Sequence, residues 1–352
     1  MFNGLSIERA TAPPMDRPPN AGARQQRVFI LGANGFVGRH VVSRLSADGT
    51  HLPVAGVRRL PQLMPRGVEM RICDGRDLQS IRAAMAGCDF AVNCVLGSSL
   101  TMLQTTANLF RAAGELSLKR VVEISSIAVH GSREGLVTEN TLPDENAGPY
   151  ARAKIRCERI VHRARHLYGI EAVVLRPGLV HGPGGDQWTR RIGALLRRRR
   201  IGDLGPNGDG TCNLISVAEV ADAVVAALSR PLVDGRAFFL ADPTPMTWNE
   251  YLDFFANAAA ISPCARISNR TLLIETKLYA PPLKASQMLL AKMGLSSRLV
   301  ADPIPPSLLR LFRQRVRFDS QPADDLLRFQ RVPREQAIRQ AAQWFTNAAL
   351  PN

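Results

Sequence analysis

Short apolar runs alternate with stretches of helical periodicity from residue 27 onward. The apolar runs predict strands at residues 28–31, 53–57, 68–72, 90–95, 121–124 and 172–175. Helical spacing predicts helices at residues 39–47, 78–86, 100–113 and 149–168, and further strands at 213–217 and 237–240 flank a predicted helix at 218–228. This alternation is typical of an α/β fold with a doubly wound parallel sheet.

The same pattern divides the chain into three parts. Residues 1–24 contain four prolines and little apolar periodicity, which predicts a disordered tail. Residues 25–182 and 212–241 carry the alternation and are predicted to form the sheet core. Residues 183–211 and 242–352 lose it and are predicted to form a smaller C-terminal cap over the substrate. The apolar stretch 271–295 would either enclose an apolar ligand or pack as core, and the sequence leaves both open.

Composition and charge narrow the choice of partners. The 352 residues are 45% hydrophobic, which is ample for a core, and the formal net charge is +15. Six arginines concentrate part of this charge: Arg190, Arg191, Arg197, Arg198, Arg199 and Arg200. They indicate either an anionic partner or a solvated helix face. Only 6% of residues are aromatic and no nucleic-acid-binding motif accompanies the arginines, so we expect no nucleic-acid partner.

The cysteines and the apolar runs bear on location. The six cysteines are scattered without a CxxC pair, so we expect neither a metal site nor a disulfide framework, and a reducing compartment such as the cytoplasm. No apolar run reaches the length of a membrane-spanning helix, and we expect no transmembrane segment. The N-terminus lacks an apolar run behind a basic start, so no signal peptide is expected.

A glycine-rich loop joins the first predicted strand to the first helix with the spacing G-x-x-G-x-x-G. Its residues are Gly32, Asn34, Gly35, Phe36, Val37 and Gly38, with Ala33 between the first two. Glycines let the backbone approach a pyrophosphate, and the helix N-terminus supplies free N–H groups. The loop therefore predicts a dinucleotide site, with a tight turn as the alternative.

The end of the second strand bears on which dinucleotide is bound. Arg58 follows Gly38 by twenty residues, where NAD enzymes usually place an acidic residue on the ribose 2′-hydroxyl. Because an arginine suits a 2′-phosphate, the sequence favours NADP. NAD stays an alternative, with Arg58 then a surface residue without a role.

Three side chains are candidates for acid–base chemistry. Tyr150 and Lys154 lie four residues apart on one face of a predicted helix, and Ser126 follows the strand 121–124. Bringing a phenol from a pKa near 10 to neutrality requires about 4 kcal/mol. One positive charge about 4 Å away supplies roughly that much at an effective dielectric constant near 20. Lys154 would lower the pKa of Tyr150, and Ser126 would hydrogen-bond the substrate oxygen.

These motifs as a set resemble the extended short-chain dehydrogenase/reductase family, also called the NAD-dependent epimerase/dehydratase family. The resemblance covers about residues 27–260 and is carried by the glycine loop, Asp74, and the segments 123–131, 149–154 and 175–183. It implies a Rossmann-type domain with a C-terminal substrate cap and a catalytic triad of Ser126, Tyr150 and Lys154. It also implies that Asp74 contacts the adenine, that Gly97 lies beside the nicotinamide and that Tyr150, Lys154 and Pro177 border the cofactor. Family members often dimerise through two helices, here 100–113 and 149–168, and the oligomeric state stays open.

Some positions differ from the family pattern, and these differences help to distinguish a reductase from a dehydratase or an epimerase. Ile127 and Ala128 stand where sugar dehydratases carry an Asp-Glu pair, so a dehydratase is not expected. Nucleotide-sugar epimerases usually have an asparagine near Leu179 and a diphosphate-binding arginine near Cys212, although Arg190 or Arg191 could replace that arginine.

Other positions near the motifs carry weaker signals. Met102 stands near a helix asparagine that is common in the family. His130 and His181, where the family often has tyrosine, are interpreted as aromatic packing. Residues 186–188 begin the cap, and the sequence leaves open whether they face the substrate.

The favoured function is an NAD(P)-dependent oxidoreductase that transfers hydride at a secondary alcohol or ketone carbon, with Tyr150 as acid and base. One alternative is a nucleotide-sugar epimerase with tightly bound NAD. The other is a non-catalytic Rossmann protein that senses the cofactor. The substrate is a small molecule, apolar or sugar-like.

Overall fold

The computed structural model describes residues 25–61, 64–293 and 302–348. The predicted disordered tail, residues 1–24, lies outside the described residues.

The strands of the described chain fall into one large sheet and three short pairs. In chain order they are β1 (Gln26–Leu31), β2 (His51–Val57), β3 (Glu69–Ile72), β4 (Phe90–Asn93), β5 (Arg120–Ile124), β6 (Gly135–Val137), β7 (Glu171–Pro177), β8 (Leu179–His181), β9 (Thr211–Cys212), β10 (Leu214–Ser216), β11 (Ala237–Leu240), β12 (Met246–Thr247) and β13 (Val316–Phe318). Seven of these described strands form a parallel sheet in the order β11-β7-β5-β4-β1-β2-β3. The doubly wound α/β fold predicted from the sequence is confirmed.

The helices cover both faces of this sheet. They are α1 (Phe36–Asp48), α2 (Leu78–Met85), α3 (Ser99–Glu115), α4 (Pro149–Tyr168), α5 (Arg191–Arg197), α6 (Val217–Ser229), α7 (Trp248–Ala258), α8 (Asn269–Ile274), α9 (Ala280–Lys292), α10 (Pro306–Arg313), α11 (Gln321–Leu327) and α12 (Arg334–Ala348). Helix α4 has the predicted bounds, whereas α1 begins three residues before the predicted start because the glycine loop itself forms its first turn.

Alternate residues of the central strands enter different cores. Val28 and Ile30 of β1 pack with α1 and α6, whereas Phe29 and Leu31 pack with α2, α3 and α4. This is the period of two that a strand imposes on its side chains. Strands buried on both faces read as continuous apolar runs, which explains why the sequence predicts them clearly.

A separate hydrophobic cluster lies outside the sheet. It draws on α5, α7, α10 and α12, and its largest members include Trp248, Tyr251, Phe255 and Phe312. These four helices come from the two segments predicted to form the cap, and the domain boundaries themselves stay a prediction. Residues 316–329 of the predicted cap pack differently, because β13 pairs with β6 and Ala323 joins the core beside α6.

The arginine-rich stretch is largely engaged within this second cluster. Arg200 pairs with Glu275 and donates to the Asp302 carbonyl at 2.7 Å. Arg197 lies over the ring of Phe345, 4.5 Å from its centroid. Of the six arginines, Arg197, Arg198 and Arg199 are exposed.

Candidate active site

The loop between β1 and α1 is tightly closed. Gly32 has φ +81°, in the left-handed region that favours glycine, and its carbonyl accepts a hydrogen bond of 2.9 Å from the Gly35 N–H. A Cβ at Gly38 would lie 2.2 Å from the Gly32 oxygen. The first turn of α1 therefore packs directly on the loop, and no side chain larger than hydrogen fits at position 38.

The N-terminus of α1 is open to an anion. Gly35 is its N-cap residue, no side chain caps the helix, and its first turn contains no acidic residue. Asn34 and Gly35 are exposed at this edge. Unpaired N–H groups at a helix N-terminus attract phosphate groups. The loop thus fits a dinucleotide pyrophosphate, which supports the cofactor predicted from its spacing.

Three charged residues lie at the adjacent strand ends. Arg58 follows β2, and Asp74 follows β3 and accepts hydrogen bonds from the Arg76 guanidinium at 2.7 and 3.1 Å. These bonds, with a smaller contribution from the positive charge of Arg58, lower the pKa of Asp74 to about 2. Arg76 is not among the residues predicted from the sequence, although its position two residues after Asp74 is a signal that could have found it.

Lys154 reaches from α4 to the carboxyl end of β5. Its ammonium donates a hydrogen bond of 2.6 Å to the Ile124 carbonyl and lies 3.7 Å from a carboxylate oxygen of Glu123. Lys154 is only 4% exposed. The ammonium is therefore fixed beside the strand end that leads into Ser126.

Glu123 is a buried acid in the central strand. Its Oε2 accepts a 2.7 Å hydrogen bond from the Asn93 amide, whereas Oε1 has no hydrogen-bond partner. Burial raises the pKa of Glu123 to about 7, although the neighbouring Lys154 ammonium lowers it. Glu123 is the first residue of the segment 123–131, and no role is predicted for it from the sequence, although an acid inside an apolar strand is a signal that could have found it.

Tyr150 and Ser126 belong to the two parts of the chain that this lysine connects, helix α4 and the turn after β5. Tyr150 is one helical turn before Lys154 on α4 and is 40% exposed. Ser126 follows β5 and caps the 3₁₀ turn Ile127–His130 by accepting a 3.1 Å hydrogen bond from the Ala128 N–H. The catalytic roles of all three residues stay predictions.

The remaining predicted cofactor residues lie at neighbouring strand ends. Gly97 is exposed after β4, one residue before the N-cap Ser98 of α3, and Pro177 ends β7. In a parallel sheet these carboxyl ends meet at one edge. The structure therefore brings the ends of β1, β4, β5 and β7 together at the glycine loop.

A second buried ion pair supports the strand end behind Ser126. Glu158 of α4 accepts hydrogen bonds from Arg176 at 3.0 and 2.7 Å and from the Ser125 hydroxyl. The Arg176 guanidinium also lies over the ring of Phe239, 5.5 Å from its centroid. This network connects α4 to β5 and β7 beneath the site.

The two histidines beside the site pack as the sequence predicts. His130 lies 5.2 Å from the Phe239 ring, and His181 lies 6.4 Å from the Tyr251 ring. Burial lowers the pKa of each to about 4, and the Arg176 charge contributes for His130. Both rings are therefore neutral near pH 7.

The four residues that the sequence marks as distinguishing the activities of the family are buried or engaged by other groups of the protein. Leu179 and Cys212 are buried in the second cluster. Arg190 pairs with Asp186 and Asp302, and Arg191 donates to the Pro303 carbonyl at 2.7 Å.

Two further residues from the sequence analysis also pack inside the molecule. Met102 of α3 packs against Ala153 of α4. Trp188 lies 5.7 Å from the Trp248 ring, and its carbonyl accepts a hydrogen bond from the Tyr251 hydroxyl.

Comparison with known proteins agrees with this geometry. Residues 28–240 match the NAD dependent epimerase/dehydratase family. The chain belongs to that family, and it is an enzyme of NAD-dependent oxidoreductase type.

All six cysteines are free, and no helix in the described part of the chain is long and apolar enough to cross a bilayer.

Relatives include two named reductases. The chain is 26% identical over 266 residues to 2-alkyl-3-oxoalkanoate reductase from Shewanella oneidensis, covering 68% of each chain. It is 27% identical over 307 residues to cinnamoyl-CoA reductase 1 from Oryza sativa, covering 78% of this chain and 87% of the reductase.

A similar solved structure is UDP-glucuronic acid 4-epimerase from Bacillus cereus with UDP-glucuronic acid and NAD. The TM-score is 0.68 at 15% identity, over 92% of this chain and 100% of the epimerase. At this identity the likeness shows the fold alone.

Proposed function

We propose that this protein is an NADP(H)-dependent oxidoreductase that interconverts a ketone and a secondary alcohol on a small, largely apolar substrate. The observation that carries the proposal is Lys154, which is fixed by the Ile124 carbonyl one helical turn from Tyr150 and beside the strand leading to Ser126. A cofactor sensor needs the glycine loop but has no use for a buried ammonium next to a tyrosine. This favours an enzyme over a sensor.

The proposed mechanism assigns one task to each side chain. Bound nicotinamide supplies a hydride in reduction, or accepts one in oxidation. Tyr150 donates its hydroxyl proton to the substrate oxygen as the carbonyl carbon gains hydride, and takes a proton in the reverse direction. Ser126 orients that oxygen, and the Lys154 ammonium stabilises the Tyr150 phenolate left behind.

Two arginines support NADP as the cofactor. Arg58 and Arg76 lie on either side of Asp74, and no acidic residue occupies the end of β2. Guanidinium groups suit the geometry and charge of a 2′-phosphate. We therefore assign the 2′-phosphate to Arg58, whereas Arg76 is held by Asp74, and the pyrophosphate to the N-terminus of α1.

The cap favours a reductase over an epimerase. The arginines that could hold a sugar-nucleotide diphosphate, Arg190 and Arg191, are engaged by Asp186, Asp302 and the Pro303 carbonyl. Cys212 is buried and neutral because burial raises the pKa of its thiol. The name of one relative, 2-alkyl-3-oxoalkanoate reductase, describes a ketone substrate with an alkyl chain. The alternative function, a nucleotide-sugar epimerase, is supported by the fold that this chain shares with UDP-glucuronic acid 4-epimerase.

The proposal also includes the protein's location in the cell and its oligomeric state. Six free cysteines are consistent with a reducing compartment, and we assign the protein to the cytoplasm. We also propose a homodimer through α3 and α4, which light scattering of the purified protein would test.

The deciding experiment is mass spectrometry of ligands released from native protein. Turnover assays with 2-alkyl-3-oxoalkanoates and aryl ketones then test the reaction. The proposal predicts exchangeable NADP(H) and stoichiometric NADPH oxidation. Tightly retained NAD with interconversion of UDP-sugars, and no need for added reductant, would instead establish the epimerase.

A further inference from the structure

An exposed apolar face lies on the helical segment 269–293, far along the chain from the glycine loop. The face consists of Leu273, Ile274, Leu278, Tyr279, Met288, Leu289 and Met293, each 44–66% exposed. It holds seven of the nineteen exposed large apolar or aromatic side chains in the described residues. Such a concentration of exposed apolar side chains on one segment is typical of an interaction site.

The first half of this segment is anchored to the protein. Leu272 belongs to the second hydrophobic cluster, and Thr276 and Ala280 are buried. Glu275 forms a largely buried ion pair with Arg200. These contacts hold the segment on the protein, whereas no side chain described between residues 281 and 290 is fully buried.

The charges around this face are positive. Arg270, Lys277 and Lys284 are exposed, and none of them forms an ion pair within the described ranges. The acid within 269–293, Glu275, is neutralised by Arg200. Cations bordering an exposed apolar helix face favour an anionic, apolar partner.

We propose that the segment 269–293 lays its apolar face on an anionic lipid surface. Lys277, Lys284 and Arg270 would contact lipid phosphates, while Leu278, Met288 and Leu289 enter the boundary between headgroups and acyl chains. Apolar burial and attraction to anionic lipids act together in such helices. A second copy docked on this same segment would set Arg270, Lys277 and Lys284 against their own counterparts. This local repulsion favours an anionic lipid surface over a second copy as the occupant of this segment.

Flotation with lipid vesicles tests the proposal and does not depend on the enzyme's activity. The full-length protein should float with vesicles of phosphatidylglycerol and phosphatidylcholine, and much less with phosphatidylcholine alone. Raising the salt from 0.1 to 1 M should release most of it, since the Debye length falls from about 10 to about 3 Å. The double variants L278D/L289D and K277E/K284E should each lower the vesicle partition coefficient about tenfold or more.

A control is Leu232→Asp, which changes a leucine after α6 that is 84% exposed, more than Leu278 or Leu289. It should float like the wild type, and circular dichroism should show that all variants stay folded. Equal flotation of L278D/L289D and the wild type would overturn the proposal, as would an absence of binding to anionic vesicles. So would a shift of the wild type, but not of L278D/L289D, to a dimer in light scattering without lipid, because the face would then join two copies.

Discussion

The ammonium of Lys154 lies 3.7 Å from the Glu123 carboxylate, and both groups are withdrawn from solvent. The carboxylate stands behind the lysine, on the strand that leads to Ser126. It therefore acts on the proposed site through Lys154 rather than by touching substrate. We interpret Glu123 as a positioning residue that lies against the ammonium, while the Ile124 carbonyl accepts the ammonium's hydrogen bond.

This arrangement predicts the pH behaviour of Glu123→Gln. The folded chain keeps a proton on Glu123 up to about pH 7, whereas the unfolded chain releases it near the ordinary value of 4.5. The contribution of Glu123 to stability therefore falls as pH rises from about 4.5 to 7. Urea unfolding across this range should show a slope in wild type that is reduced in Glu123→Gln. Parallel curves for Glu123→Gln and wild type would contradict the prediction.

Tyr150→Phe should separate binding from chemistry. Loss of the proton donor should lower turnover by about 10²-fold or more, while the dissociation constant for NADPH stays within a few fold. Steady-state kinetics with a reducible ketone and fluorescence titration of NADPH measure the two effects. Tyr168→Phe, at the other end of α4, is the control and should leave both unchanged. Undiminished turnover in Tyr150→Phe would rule out the proposed mechanism.

Local patterns in the sequence suffice for the sheet, the glycine loop and the positions of Tyr150 and Lys154, because each depends on neighbours along the chain. The role of Glu123 depends on which face of β5 meets Lys154, and this register is set by the whole sheet. The pairing of β13 with β6 joins residues such as Val316 and Gly135. Such distant contacts leave no local signal, so the packing of residues 316–329 on the sheet could not be predicted.

The choice of cofactor depends on Arg58 in the proposed function. Arg58→Ala should raise KM for NADPH about tenfold or more, because a hydrogen bond to a charged group is lost, and should leave KM for NADH nearly unchanged. The adjacent and equally exposed Arg59→Ala should change neither constant. A parallel rise of both constants in Arg58→Ala would indicate a general loss of binding and remove the support for NADP.

His181 should make the fold sensitive to acid. Burial lowers the pKa of its imidazole to about 4 from 6.5, so between these values the unfolded chain binds a proton that the folded chain does not. Stability is therefore lost as pH falls from 6.5 toward 4, by up to about 3 kcal/mol from this group. The buried His130 adds a loss in the same direction.

Because Nδ1 of His181 has no hydrogen-bond partner, His181→Phe should fold and lose part of this acid sensitivity. Thermal unfolding at pH 7 and pH 5 measures the effect, with the exposed His162→Phe as the control. An acid sensitivity equal to that of wild type in His181→Phe would mean that the ring is not buried as a neutral group.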